Sequence, residues 1–326
     1  MAAAGKTAIL VERVKTMLSR GCAPEKMVVI TFTTAAASEM SRRIGHVDGL
    51  FIGTIHAYAF YLLCAGGYHE QANKYVDEEK FDMLFTLIQR HPECIKPVEY
   101  LVVDEAQDVS ENEWEFFDML APNGFFMVGD ERQCIYTWRD VNINDFKNRQ
   151  NINGTIVYEL NENYRNSRDV LNYAKWIISK TSDSPPDESM CMRGTRGTVD
   201  RIELNYEELV NIISESGTYD WFVLTRTNDQ IAQVQYILDK YKIPNLTFKR
   251  GGKNFDELNE LLHEPKVKVL TIHTAKGLEC DNVIVIGANM WKDEEIRLSY
   301  VAATRARDHL IWMTQPKKKK GYFKAW

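Results

Sequence analysis

Short apolar runs alternate along the chain with longer stretches whose apolar residues recur at helical spacing. The runs predict strands at Lys26–Phe32, Glu99–Asp104, Gly124–Asp130, Gly154–Leu160, Asp220–Arg226, Val267–His273, Asp281–Gly287 and His309–Gln315. The helical pattern is clearest at Ala35–Ile44, Asn112–Leu120, Ser167–Ser179 and Asp229–Tyr241. Several strands are continuous Val, Ile, Leu and Phe runs, which is typical of parallel strands covered on both faces. The alternation therefore predicts an α/β fold with mostly parallel sheets.

The chain is long enough for two domains, with 326 residues. The segment Asn148–Gly154 is polar and rich in turn-forming residues, so it predicts a boundary that gives domains 1–150 and 151–326. A second polar segment, Thr181–Ser189, contains two prolines and predicts a loop after the preceding helix.

Composition narrows the class of protein further. No apolar run reaches the length of a membrane span, and the six cysteines form no C-x-x-C pair, so we expect no membrane segment, zinc site or disulfide framework. Scattered cysteines fit a reducing compartment. The formal net charge of −6 excludes a protein that is basic all over. This net charge is still compatible with a local basic groove that binds nucleic acid.

Because ligands of parallel sheets bind at the carboxyl ends of the strands, the residues at those ends are the first candidates for chemistry. Near the start, Gly5-Lys6-Thr7 matches the second half of the phosphate loop G-x-x-x-x-G-K-[ST]. The first glycine of that pattern falls before Met1, and the tripeptide alone is a weak signal of a nucleotide site.

Asp104 and Glu105 directly follow a predicted strand. An aspartate there can hold Mg²⁺ through water beside phosphates, and the adjacent glutamate can deprotonate an attacking water. The same pair could simply begin a helix, since acidic residues favour the first turn. The pattern by itself does not separate these two interpretations.

After the strand at Gly124–Asp130 come Gln133, Tyr136, Trp138 and Arg139. A glutamine in this place can sense a terminal phosphate. The two aromatic rings and the arginine can stack bases and bind backbone phosphates. Alternatively, the rings belong to the core, which is the commoner fate of aromatic side chains.

Three later segments carry further charged groups at element ends. Tyr164-Arg165 precedes a predicted helix, Glu279 lies between two strands, and Arg305 and Arg307 lie in an Ala-rich segment that predicts a helix. Arginine suits phosphate oxygens because its guanidinium can bond two at once. We expect Arg307 to be a surface charge.

Taken in order, these segments resemble the UvrD/Rep family of superfamily 1 DNA helicases, nearly end to end. AGKT resembles the end of motif I, ITFTTAAASEM motif Ia, GTIHAYAFYLL the following DNA-contact segment and LVVDEAQD motif II. MVGDERQCIYTWRD is similar to motif III, ELNENYRNS to motif IV, LTIHTAKGLE to motif V and YVAATRA to motif VI. Motifs II, III, V and VI are the specific ones.

The resemblance implies two RecA-like domains of the P-loop NTPase type, with ATP and Mg²⁺ in the cleft between them. It implies nucleotide-binding roles for Gly5, Lys6, Thr7, Tyr164 and Glu279, metal-binding roles for Thr7 and Asp104, and catalytic roles for Glu105, Gln133, Arg165 and Arg305. In this scheme Glu105 is the general base, Gln133 reads the γ-phosphate, and Arg165 and Arg305 are arginine fingers. Tyr164 stacks on adenine and Glu279 meets the ribose.

The resemblance also implies a track for single-stranded DNA, lined by Phe32, Thr33, His56, Tyr136, Trp138, Arg139 and His273. It implies an ATP-dependent helicase or translocase that moves 3′ to 5′ on single-stranded DNA, or on DNA with a 3′ single-stranded tail. We expect a monomer in the cytoplasm of a bacterium or of a phage- or virus-infected cell. DNA repair and replication are the processes in which such motors act.

The sequence departs from the family at three places. The phosphate loop is incomplete, so we expect the strand before it to be missing from the first sheet. The segments at His56–Asp104 and after Tyr241–Gly252 are too short for the family's accessory domains, so we expect a bare motor core. Thr34-Ala35 replace Asn-Lys in motif Ia, which predicts weaker DNA binding.

These departures leave alternatives open. The incomplete loop allows a single-stranded nucleic-acid-binding protein that has lost its ATPase activity. A translocase on RNA is a third hypothesis, which the D-E-A-Q-D form of motif II disfavours by analogy.

Overall fold

A computed structural model describes residues 5–120, 122–248, 258–288, 290 and 292–314. Ala4 of the AGKT fragment and residues 249–252 of the segment that begins at Tyr241 lie outside the described residues. The chain divides into two compact units between Leu160 and Asn161, whereas the polar segment had placed the boundary between residues 150 and 151. The units are described separately.

The first unit alternates strands with helices from its start. Its elements are α1 (Lys6–Ser19), β1 (Met27–Thr31), α2 (Thr34–Ile44), β2 (Phe51–Thr54), α3 (Ile55–Ala65), α4 (His69–Asp77), α5 (Met83–Arg90), β3 (Tyr100–Val103), α6 (Glu111–Met119), β4 (Gly124–Met127) and α7 (Ile143–Gln150). Short 3₁₀ turns follow β3 at Ala106–Asp108 and β4 at Glu131–Gln133, and another lies at Thr137–Arg139.

Within the described part of the first unit, four strands form a parallel sheet in the order β2–β1–β3–β4. Side chains alternate across it. Val28 and Ile30 join the core cluster with residues of α3, α5 and α6, whereas Met27 and Val29 join a second cluster with residues of α1 and α2. Burial on both faces explains why β1 is an unbroken apolar run.

Helix starts in the first unit follow capping rules. The Thr33 hydroxyl accepts a hydrogen bond from the Ala36 amide (3.1 Å) and so begins α2. Ser110 and Glu113 form a reciprocal capping box at the start of α6. Both helices therefore begin at fixed positions just beyond the carboxyl ends of β1 and β3.

The second unit contains the rest of the described elements. They are β5 (Glu162–Asn163), α8 (Arg168–Ile178), β6 (Met190–Cys191), β7 (Thr198–Glu203), α9 (Tyr206–Glu215), β8 (Trp221–Thr225), α10 (Asn228–Lys240), β9 (Asn245–Phe248), α11 (Leu258–Leu261), β10 (Val267–Thr271), β11 (Cys280–Ile286), α12 (Asp293–Ala303) and β12 (Ala306–Thr314).

Six of these strands form a parallel sheet in the order β7–β12–β11–β8–β10–β9, counting described residues only. β5 and β6 pair in parallel as a separate ribbon. A core cluster joins β8, β10, β11 and β12 to α9 and α10 through buried side chains such as Val223, Val269 and Val234. The prediction of an α/β fold with parallel sheets is confirmed.

Two interpretations of the sequence were wrong. Gly154–Leu160 forms no strand; Tyr158 is 83% exposed and Ile156 73% exposed, so no core holds this apolar run in a sheet. The predicted helix around Arg305 ends at Ala303, which places Arg305 in the following turn and Arg307 on β12.

Several short strands were missed because their sequences are weakly apolar. β2 has the sequence Phe-Ile-Gly-Thr and is half-buried. In β7, four of the six residues are exposed. Across the ranges that the structure describes, no helix combines the length and the apolar character that crossing a membrane requires.

Candidate functional site

The start of α1 meets the end of β3 in the first unit. Gly5 precedes α1 with a left-handed backbone (φ 71°), a conformation that favours glycine. The Thr7 hydroxyl donates a hydrogen bond to Asp104 Oδ2 (3.3 Å), and Lys6 Nζ lies 3.7 Å from Glu105 Oε2. The structure therefore brings together the predicted residues of motifs I and II at the amino end of a helix, where backbone amides favour anions.

Asp104 is buried beside an ionisable neighbour. Burial, together with the negative charge of Glu105, raises the pKa of Asp104 to about 6, although Lys6 acts in the opposite direction. The Asp104 Oδ1 atom accepts a hydrogen bond from the Glu105 amide (3.0 Å). A carboxylate in this setting gains from a cation placed next to it.

The backbone of Glu105 is left-handed (φ 51°, ψ 44°), which is rare for a residue other than glycine. Such a conformation costs about 1–3 kcal/mol and tends to occur at functional sites. It starts the 3₁₀ turn at Ala106–Asp108 rather than a helix. Of the two interpretations of Asp104 and Glu105, the geometry therefore does not favour a simple helix start, since α6 begins only at Glu111.

The residues present fit ATP with Mg²⁺. Lys6 Nζ is a buried donor without a hydrogen-bond partner among the described residues, which suits a phosphate oxygen. The hydroxyl of Thr7 and the carboxylate of Asp104 are oxygen ligands of the kind that Mg²⁺ takes. The described residues contain no cluster of three or more His, Cys, Asp or Glu able to hold a metal. Mg²⁺ needs none, because phosphates and water complete its shell.

Two residues without a predicted role join motif II to motif III. Gln107 Nε2 donates to Glu105 Oε2 (2.7 Å), while its Oε1 accepts from the Asp130 amide (2.8 Å). Asp130 in turn accepts a hydrogen bond from Gln133 Nε2 (2.7 Å). Gln133 is thus tied to the loop of Glu105 through two intermediates. Gln107 and Asp130 each lie at or just after the end of a predicted strand, which marks them as candidates, but the sequence does not reveal the hydrogen bond between them.

The aromatic residues of motifs Ia and III pack together on the same unit. The Phe32 and Tyr136 rings stack with centroids 4.9 Å apart, Trp138 meets Tyr136 edge-on at 6.1 Å, and the Arg139 guanidinium lies 5.3 Å from the Phe32 centroid. We call Phe32, Tyr136, Trp138 and Arg139 the aromatic platform. Trp138 is 60% exposed, so it is not a core residue.

The other two predicted DNA contacts of this unit have local partners. The Thr33 side chain caps α2, as described above. The His56 ring is largely buried between Phe81 and Phe85, with Nε2 3.6 Å from Asp82 Oδ1. Burial lowers the pKa of His56, which favours the neutral imidazole.

In the second unit, motifs IV and V meet through an ion pair. Arg165 is buried, and its Nε donates to Glu279 Oε2 (2.6 Å). Tyr164 is 56% exposed, and its hydroxyl donates to Glu162. His273 lies half-buried in the turn after β10. The structure therefore pairs Glu279, the predicted ribose contact, with a predicted arginine finger.

Arg305 is fully buried in the turn between α12 and β12. Its guanidinium donates to the carbonyls of Val301 (2.9 Å) and Leu278 (3.2 Å) and to the Thr304 hydroxyl (3.0 Å). These bonds fix the position of the side chain within its own unit. Arg307, by contrast, is partly exposed and lies 3.4 Å from Asp281, in agreement with a surface charge.

Asn166 is the residue that holds motifs IV and VI together. Its Nδ2 donates to the carbonyls of Thr304 (3.2 Å) and Ala306 (2.6 Å), one on each side of Arg305. Its Oδ1 accepts from Asn163 Nδ2 (3.0 Å). Sequence reasoning missed Asn166 because the two carbonyls that it bonds are about 140 residues away and no local pattern marks such a bond.

Comparisons with known proteins agree with this arrangement of motifs. An AAA domain model matches residues 2–139, and a UvrD-like helicase C-terminal domain model matches residues 253–317. Together with the DNA helicases among the relatives, these matches support a UvrD/Rep-type superfamily 1 helicase. The P-loop NTPase fold expected from the motifs is confirmed with it.

Individual relatives of this helicase family share modest identity with the chain. The ATP-dependent DNA helicase PcrA of Leuconostoc citreum is 28% identical over 206 residues, which cover 57% of this chain and 27% of that protein. The ATP-dependent DNA helicase srs2 of Schizosaccharomyces pombe is 31% identical over 102 residues, 30% of this chain and 12% of that protein. The chain thus spans about a quarter or less of these two relatives.

The Gabija protein GajB of Bacillus cereus strain VD045 matches over nearly its whole length. It is 22% identical, and the alignment covers 99% of this chain and 94% of GajB. The alignment therefore extends along almost the full lengths of both chains.

Proposed function

We propose that this UvrD/Rep-type chain is an ATP-dependent motor on single-stranded DNA that moves 3′ to 5′. The observation that carries the proposal is the joining of Lys6, Thr7, Asp104 and Glu105 at the start of α1, with hydrogen bonds that lead from Glu105 to motif III. The names of the relatives, which include several ATP-dependent DNA helicases, support the same chemistry.

In this proposal each group has a separate task. Lys6 binds phosphate oxygens, and Thr7 and Asp104 hold Mg²⁺, which neutralises phosphate charge when bound. Glu105 accepts the proton of the attacking water, and Gln107 orients the Glu105 carboxylate through the 2.7 Å hydrogen bond. Gln133 contacts the γ-phosphate.

The second unit contributes positive charge and recognition of the nucleoside. Arg165 and Arg305 stabilise the charge that develops on the transferred phosphoryl group, an effect worth about 10³–10⁵ in rate in related phosphoryl-transfer enzymes. Tyr164 offers an exposed ring for adenine, and Glu279 contacts the ribose while it pairs with Arg165.

Single-stranded DNA binds on the aromatic platform in this proposal. Exposed Trp138 and the ring of Tyr136 stack bases, Arg139 contacts the backbone, and Phe32, Thr33, His56 and His273 line the rest of the track. Action as a monomer in the bacterial cytoplasm, in repair or replication of DNA, belongs to the same proposal.

The test is ATP turnover of the full chain, measured with and without a single-stranded oligonucleotide. We expect turnover to rise when DNA is added, and single-stranded RNA of the same length and base sequence to stimulate less. DNA binding without any turnover would instead support a nucleic-acid-binding protein that does not hydrolyse ATP. Directionality is read from displacement of a labelled strand from duplexes with a 3′ or a 5′ tail.

A further inference from the structure

Glu113 is a carboxylate buried in the first turn of α6, although a helix cap does not require a charge there. It is 4% exposed, and its Oε2 accepts a hydrogen bond from the Ser110 amide (2.8 Å). A glutamine at this position of a capping box supplies the same acceptor oxygen. A buried charge is costly unless a partner compensates it. The surroundings of the second carboxylate oxygen of Glu113 therefore decide whether its buried charge is compensated.

The second oxygen of Glu113 faces the aromatic platform. Oε1 lies 3.7 Å from Arg139 Nη2, and the Arg139 guanidinium lies over the Phe32 ring, which stacks on Tyr136. Arg139 is about three-quarters buried, so solvent screens this ion pair less than a surface pair. The negative charge of Glu113 therefore holds the cation that supports the rings.

Glu113 also lies close to the candidate catalytic base. A cavity of about 40 Å³ is lined by Glu113, Arg139 and His56 together with Asp104 and Glu105. The Ser110 amide that Glu113 binds belongs to the segment that follows the 3₁₀ turn Ala106–Asp108, in which Gln107 bonds Glu105. One carboxylate thus contacts both the platform and the segment that carries the base.

We propose that Glu113 is a positioning residue that couples DNA on the aromatic platform to ATP hydrolysis at Glu105. The inference rests on the proposed function. A base that stacks on Tyr136 and Trp138 fixes Arg139, and Arg139 fixes Glu113. Through the Ser110 amide, Glu113 then restrains the turn that orients Gln107 and Glu105. The role depends on the charge of Glu113, which a helix cap alone does not need.

The test compares Glu113→Gln, Arg139→Met and the double variant with the wild-type chain. Glu113→Gln keeps an acceptor for the Ser110 amide and removes the charge facing Arg139. We expect each single variant to lower the stimulation of ATP turnover by oligo-dT by about fivefold to tenfold, and the double variant to lower it no further, because the two residues act as one unit. Glu111→Gln, an exposed carboxylate in the same first turn, is the control and keeps wild-type stimulation.

The outcomes separate the two proposals. A wild-type chain whose turnover ignores DNA rejects the proposed function and this inference together. A DNA-stimulated wild type with equal stimulation in Glu113→Gln, or with effects that multiply in the double variant, rejects the inference alone. Thermal unfolding of each variant identifies loss of fold. If Glu113→Gln does not fold, Glu113→Asp replaces it, and its shorter side chain is expected to weaken stimulation.

Discussion

The two units hold their candidate nucleotide residues in different ways. In the first unit the contacts are long: Thr7 and Asp104 are 3.3 Å apart, and Lys6 and Glu105 are 3.7 Å apart. In the second unit, Arg165 is held at 2.6 Å by Glu279, and Arg305 bonds three oxygen atoms of its own unit. The comparison indicates that the first unit holds Lys6 and Thr7 through weak contacts that ligand atoms can replace, whereas the second presents arginines whose positions are already fixed.

The strongest test of this contrast is Glu105→Gln. Glutamine keeps the size of the side chain but cannot accept a proton, so we expect kcat for DNA-stimulated ATP hydrolysis to fall by about 10²–10⁴-fold. Because the contacts of Glu105 contribute little to the core, the free energy of unfolding should stay within about 0.5 kcal/mol of wild type. Steady-state turnover and urea unfolding measure the two quantities. Near-normal turnover would remove Glu105 from the role of base.

Arg305→Ala is expected to act on stability as well as on chemistry. It leaves the buried carbonyls of Val301 and Leu278 without this donor, so the free energy of unfolding should fall by about 2–4 kcal/mol. Urea unfolding checks the loss. Arg307→Ala, which removes a partly exposed arginine two residues away, is the matched control and should cost about 0.5 kcal/mol or less. Equal losses in the two variants would mean that the buried bonds of Arg305 do not stabilise the second unit.

Trp138→Ala separates the DNA-binding face of the first unit from its nucleotide residues. Loss of one stacking ring is worth about 1–3 kcal/mol per base, so the Kd for single-stranded DNA should rise by about 5- to 150-fold. Basal ATP turnover without DNA should not change, because the exposed Trp138 ring packs against Tyr136 of the aromatic platform. Fluorescence anisotropy of a labelled oligonucleotide measures the Kd.

The control for that experiment is Trp176→Ala, which removes an exposed tryptophan of the second unit. Trp176 packs with Tyr173 and lies near Lys180 and Arg201, away from the motifs in the sequence. If Trp176→Ala weakened DNA binding as much as Trp138→Ala, the aromatic platform would lose its special role.

The smallest expected effect is that of Gly5→Ala. Alanine in the left-handed region costs about 1 kcal/mol, so α1 should begin less readily and the free energy of unfolding should fall by about that amount. Gly194→Ala is the control, since Gly194 does not have a positive φ and a Cβ there meets open space. A stability of Gly5→Ala equal to that of Gly194→Ala would contradict the strain at Gly5.

Local patterns predicted the strands that lie deepest in each sheet. Strands that are covered on both faces have nearly continuous apolar sequences, and this pattern predicted β1, β3, β8, β10 and β11. The same signal failed at Gly154–Leu160, because an apolar run becomes a strand only where another strand and a core accept it. The edge strand β7 was missed for the opposite reason, since four of its six residues are exposed to water.

The motifs predicted which residues belong to the site but not how they are tied together. Gln107 lies between Glu105 and Asp130, and Asn166 bonds the carbonyls on both sides of Arg305. These hydrogen bonds join segments that are 23 and about 140 residues apart, and each needs only one amide side chain of suitable reach. No spacing rule in the sequence encodes such a contact.

The run from Thr155 to Leu160 has a practical consequence. It has no regular secondary structure, its aromatic and aliphatic side chains face solvent, and it ends where the first unit ends. Exposed segments without regular secondary structure are preferred sites of proteolytic cleavage. Brief chymotrypsin digestion should therefore cut after Tyr158 before other sites and give two fragments, each with its own parallel sheet, which offers a direct route to studying the halves apart.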